Sequence, residues 1–144
     1  MTDHGGSLAP EFAMLEQPPR GYVTLAWLGV VANALAIPLG LAVILLDPTW
    51  RVTNIVVGAS AVLPTAVVGL VASIALLKWR AWGQILAIVG LAMALAVGLP
   101  YGIVRLVLMS EGRLLTAVLS ALLWAATTAA LVYWSRPCIR RYLI

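Results

Sequence analysis

Gly21–Leu46 reads GYVTLAWLGVVANALAIPLGLAVILL, 26 residues without an Asp, Glu, Lys, Arg or His. The hydrocarbon core of a bilayer takes about 20 apolar residues to cross as a helix, so the stretch is long enough for one crossing and too short for two. Three more charge-free runs follow, Val52–Leu77, Ala81–Val104 and Leu114–Ser135, of 26, 24 and 22 residues. Over the whole chain of 144 residues, 63% are hydrophobic and 10% charged, which leaves too little polar surface to cover a soluble globule of this length. Four transmembrane helices are predicted, over about 21–46, 52–77, 81–109 and 113–135. Amides in lipid must be satisfied within their own segment, and runs of this length are too long for barrel strands, so the fold class is all-α.

The links between the runs are short. Asp47-Pro48 reads as an N-cap and first-turn proline opening the second helix, with Asp47 and Arg51 as an i,i+4 pair beside Trp50. Lys78–Arg80 and Ser110–Arg113 make the other two turns. Such turns place sequential helices side by side and antiparallel, giving an up-down-up-down four-helix membrane bundle over residues 21–135 with no extramembrane domain. Residues 1–20, MTDHGGSLAPEFAMLEQPPR, lack the basic-then-apolar order of a cleavable signal peptide. They read as a disordered cytoplasmic tail, with a short interfacial helix capped by Ser7 as the alternative. With the N-terminus inside, the cytoplasmic side collects Arg20, Lys78, Arg80, Arg136, Arg140 and Arg141, the last three in a basic segment over 136–144. The far side keeps Arg51, Arg105 and Arg113. Six cations against three favour an N-in/C-in orientation, both termini cytoplasmic.

The stretch KWRAWGQ, Lys78–Gln84, interleaves cations and tryptophans. A phosphate or nucleic-acid site would need a glycine-rich cradle or a flanking domain, and a turn this short has neither. Trp and basic residues at the ends of apolar runs instead mark the headgroup layer. Lys78, Trp79, Arg80 and Trp82 are therefore expected to be lipid-interface anchors, together with Arg20, Trp50, Trp134, Arg136, Arg140 and Arg141. The expected partners are membrane lipids and not nucleic acid.

Each run carries small residues four apart, the best set being Gly90, Ala94, Gly98 and Gly102 in the third. Lipid supplies no hydrophobic drive for helices to associate, so close backbone approach along such faces is a main source of attraction. Pro38, Pro64 and Pro100 interrupt the backbone bonding of helices one to three, where kinks are expected. No carboxylate or imidazole lies in the spans, which counts against proton coupling; the first helix offers only Asn33 where small four-helix multidrug carriers rely on an acid. His4 is the single histidine and Cys138 the single cysteine, so no His-dependent triad, cysteine pair or clustered metal site can be built. No catalytic residue, metal or cofactor is assigned, and the chain reads as a non-enzyme. Arg105 has two fates: its guanidinium reaches the headgroups, or it faces inward and binds an anion or gates a pore. The stretch around it, IVRLVLM, either continues the third helix or forms a separate interfacial helix.

Three short motifs carry a resemblance. Pro19-Arg20-Gly21-Tyr22-Val23-Thr24-Leu25-Ala26 resembles the RPRGVTxLA opening of the first helix in small bacterial and archaeal four-helix membrane proteins. In the same proteins a basic-Trp turn followed by LAI opens the third helix, as in Arg80–Ile88, and the C-terminus reads RPxVRxYF, to which Arg136–Leu143 is similar with Ile for Val and Leu for the last Phe. The resemblance implies the same topology and a prokaryotic inner membrane, and brings no activity with it. The expected role is an accessory or structural subunit that meets another membrane protein, or its own copies, through small-residue helix faces. The alternative is a homo-oligomeric channel or facilitator for a neutral or hydrophobic solute, lined by Asn33, Ser60, Thr65 and Tyr101 near the prolines.

Overall fold

In the computed structural model, which describes residues 18–144, the charge-free runs become four helices, Tyr22–Leu46, Arg51–Leu77, Ala81–Leu108 and Arg113–Trp134. Each is long and apolar enough to cross a membrane. A single helical turn, Pro137–Arg140, follows the fourth, and no strand occurs among the described residues. The tail expected over residues 1–20 falls almost wholly outside the described residues.

The helix ends follow from local chemistry. Gly21 and Gly112 stand immediately before the first and fourth helices with φ of 85° and 66°, a left-handed backbone that costs glycine nothing. The expectation for Asp47 needs correcting. Asp47 closes the first helix in extended conformation and the second begins only at Arg51, so Pro48 is not a first-turn residue. The Asp47 carboxylate accepts from the Trp50 amide at 3.4 Å and turns inward to pair with Arg105 rather than Arg51.

Pro64 sits in the second helix two residues beyond a five-residue π-helical turn, Gly58–Val62, where the Leu63 amide reaches back to the Gly58 carbonyl. Proline cannot donate to the residue four back, and a wider turn just before it redistributes the remaining bonds. The first and third helices instead run unbroken through Pro38 and Pro100. IVRLVLM therefore continues the third helix, which stacks Arg105 one turn beyond Tyr101.

Consecutive helices pack along one another, first on second, second on third and third on fourth. Between the second and third the fit is closest at Gly83: a Cβ there would lie 2.8 Å from Ala75 Cβ and 2.9 Å from the Leu76 amide nitrogen. Gly102 lets the Trp124 ring of the fourth helix come equally near the third.

The first and fourth helices meet at one end only. There Tyr22, 1% exposed, stacks on Trp79 (centroids 4.6 Å apart, planes 5° from parallel) and meets the edge of Trp134 at 5.3 Å. Its hydroxyl donates to the Leu76 carbonyl at 2.8 Å, and Gln84 donates to the Trp134 carbonyl at 2.6 Å. Ile144 joins the same assembly through its backbone, accepting from Ala81 and donating to the Trp79 carbonyl. Trp79 is the one non-glycine residue with positive φ among the described residues, at 58°. That costly conformation is held by pairing on both sides of the Lys78–Arg80 turn.

Candidate functional site

Away from the aromatic end the first and fourth helices part, leaving a cleft of about 650 Å³ to which all four helices contribute. A volume of this size suits a small organic ligand, for which pockets run from about 300 to 1,000 Å³. The walls are mostly apolar, with Leu28, Ala66, Leu95 and Leu123 among the lining residues. Hydroxyls and amides are sparse: Asn33, Thr65, Tyr101, Thr116, Ser120 and Thr127. Asn33 donates to the Gly29 carbonyl of its own helix at 2.7 Å, and Thr127 to that of Leu123 at the same distance. Asn33 and Thr127 thus bring their own partners and line the cavity without demanding a ligand atom.

Among the described residues, the one charged side chain lining the cleft is Arg105. It lies at the end opposite the aromatic cluster, within a chain of polar contacts. Its guanidinium meets an Asp47 oxygen at 3.3 Å and the Tyr101 hydroxyl at 3.5 Å. Tyr101 donates to Asn54 at 2.6 Å, and Asn54, 3% exposed, donates back to the Asp47 carboxylate at 3.4 Å. The circuit ties the loop after the first helix, the start of the second and the end of the third. Every buried polar side chain among the described residues is satisfied, as burial in a low-dielectric setting demands.

The structure divides the residues singled out in the sequence. Arg20, Lys78, Arg80, Trp82, Arg136, Arg140 and Arg141 are exposed at the aromatic end, and Trp50 is half-buried at the other. Trp79 and Trp134 depart from the expectation of lipid-facing anchors: Trp134 is 4% exposed, and both rings pack against Tyr22, Trp79 by its face and Trp134 at right angles. Of the third-helix stripe, Gly90 faces Val68 of the second helix, while Gly98 and Gly102 face Trp124 of the fourth; Ala94 and Gly98 also line the cleft. Asn33, Thr65 and Tyr101 line it as well, whereas Ser60, Pro38, Pro64 and Pro100 do not. Asn54 and Gln84 are the polar groups that sequence reasoning passed over, and Asp47 entered it only as a helix cap paired with Arg51. Asn54 and Gln84 could have been noticed as lone amides inside apolar runs, where a polar side chain needs a partner.

No family model, curated protein or solved structure matches this chain. The cleft and its polar end therefore carry the functional argument alone.

Proposed function

We propose that the protein is a non-enzymatic, multi-pass protein of the cell membrane that takes a hydrophobic guest from the bilayer into the cleft between its first and fourth helices. The cleft itself is the observation that supports this reading. A gap of this size between apolar helices must be filled by something, and when the helices stand in lipid the filler enters sideways from the acyl layer. An up-down-up-down arrangement with both termini cytoplasmic agrees with the six cations gathered at the aromatic end and with three at the other.

The test is uptake of an uncharged fluorescent polyene by the protein in an amphipathic polymer. Saturable one-to-one binding is expected, with strong loss in Ala94→Phe, which places a ring inside the cleft. Equal uptake by the two proteins, both helical by circular dichroism, would sink the reading.

A second reading rests on the fourth helix. Its alanines Ala121, Ala125 and Ala129 are exposed, turned away from the three other helices. A small-residue face left outside is suited to a further helix, from a second copy or from an accessory partner. Under this reading Ala125→Cys, in a Cys138→Ser background, forms a cross-linked species of defined mass in native membranes; a species at monomer mass only would exclude it.

A further inference from the structure

The cleft is apolar along its length and charged at one point, and that asymmetry specifies its guest. On the third helix the lining runs from Leu91 to Arg105, and on the fourth from Thr116 to Ala130. Each is about 21 Å of helix at 1.5 Å per residue. One leaflet of a bilayer contributes about 15 Å of hydrocarbon, half of a core about 30 Å thick. The cleft can therefore take an alkyl chain that enters from one leaflet, with the aromatic cluster as its floor.

Arg105 stands at the mouth, three residues from the end of its helix at Leu108, which is about 4.5 Å of rise and so close to headgroup depth. A guanidinium presents five donors in a fixed fork. Arg105 gives one contact to Asp47 and a long one to Tyr101, and neither is the two-pronged arrangement that would saturate it. Its side chain keeps 30% of its surface exposed although the ion pair with Asp47 is formed. Asp47 is not among the residues that line the cleft, whereas Arg105 is. The fork thus meets both its carboxylate and the cavity, and Thr116 adds a hydroxyl at the same end.

We propose, building on the cleft as a guest site, that the guest is a membrane amphiphile with an oxyanion headgroup, carboxylate or phosphate, held by the free donors of Arg105 with its chain laid along the cleft. The apolar walls accept the chain without selecting it. Arg105 supplies the selection, because an oxyanion facing an arginine in a setting poor in water makes a charge-assisted contact that an alcohol cannot match. Asp47 competes for the same guanidinium, so it sets the affinity.

The experiment measures binding of palmitate and of hexadecanol, equal in chain length, to the whole protein in an amphipathic polymer. Palmitate is expected to bind about tenfold more tightly. Arg105→Gln should erase that preference while leaving hexadecanol unchanged, and Asp47→Asn should strengthen palmitate alone. The double variant Asp47→Asn/Arg105→Gln leaves no lone charge, so a fold lost to an unpaired ion cannot imitate lost binding; it too should show no preference. Displacement of palmitate by phosphatidylglycerol but not by zwitterionic phosphatidylcholine would identify the source as an anionic phospholipid, and its retention would identify a free carboxylate. Equal affinity of both probes in the parent overturns the role of Arg105 and leaves the cleft standing. Saturable binding of neither probe removes the cleft as a guest site as well.

Discussion

Replacing Tyr22 with alanine is expected to lower stability by about 3 kcal/mol, read as a shift in the unfolding midpoint during titration with a denaturing detergent. Deleting a buried aromatic side chain costs about 3–5 kcal/mol in water-soluble cores; the low end applies because lipid, unlike water, does not penalise the apolar surface that is released. Tyr22 contributes three separate interactions: a stacked ring, an edge-on ring and a hydroxyl bonded to Leu76. Tyr22→Phe removes only the last, at about 1 kcal/mol. Coupling between Tyr22→Ala and Trp79→Ala should come to about 0.5–1.5 kcal/mol, the range for aromatic pairs. Because this cluster is the place where the first and fourth helices join, its loss frees both helices at once. Fully additive effects of the two alanine changes would show that the stacked pair is not the fastening.

Gly83→Ala is the second large effect, about 1–3 kcal/mol from forcing an atom into a filled space. The added Cβ would collide with backbone as well as side chain, at the Leu76 nitrogen and, at 3.1 Å, the Ala72 carbonyl. A helix cannot rotate away from backbone as a side chain can, so the second and third helices must separate. Gly90→Ala is the matched control. There the new methyl meets only Val68 Cγ1 at 3.7 Å, ordinary van der Waals contact, and alanine is the better helix former by about 1 kcal/mol. Unfolding midpoints should fall for the first variant and hold or rise for the second. The reverse order would mean that the two helices cross elsewhere.

That pair of glycines shows what composition can and cannot disclose. The four helices were legible because charge is expelled from a span of about 20 residues whatever the packing. The glycine of closest approach was not, since spacing every four residues singled out Gly90, Gly98 and Gly102 but not Gly83. Gly83 is critical because the turn ahead of it is so short that the third helix starts hard against the end of the second. The tryptophans mislead for a related reason: Trp79 and Trp82 are three residues apart in the same basic stretch, yet one stacks on Tyr22 and the other is 48% exposed. Only the left-handed backbone at Trp79 separates their fates, and no local pattern announces it in a residue that is not glycine. At the other end, Arg105 was visible as an exceptional charge. Its partner Asp47 looked like a helix cap, because 58 residues of sequence separate the two.

The wide turn at Gly58–Val62 makes the facing of the second helix's first turns depend on how that one segment is wound. Such a turn holds one residue more than regular helix geometry requires, so it acts as a phase-shifter between the halves of a single rod. Wound into regular helix with every residue kept, it would turn everything upstream by up to about 100°, one residue's share of an α-helical turn. Asn54 would swing off Tyr101 and Asp47, and the circuit that braces Arg105 would open although none of its members had been altered. The chemistry at the mouth of the cleft is thus indexed by the winding of a segment that carries no chemistry of its own.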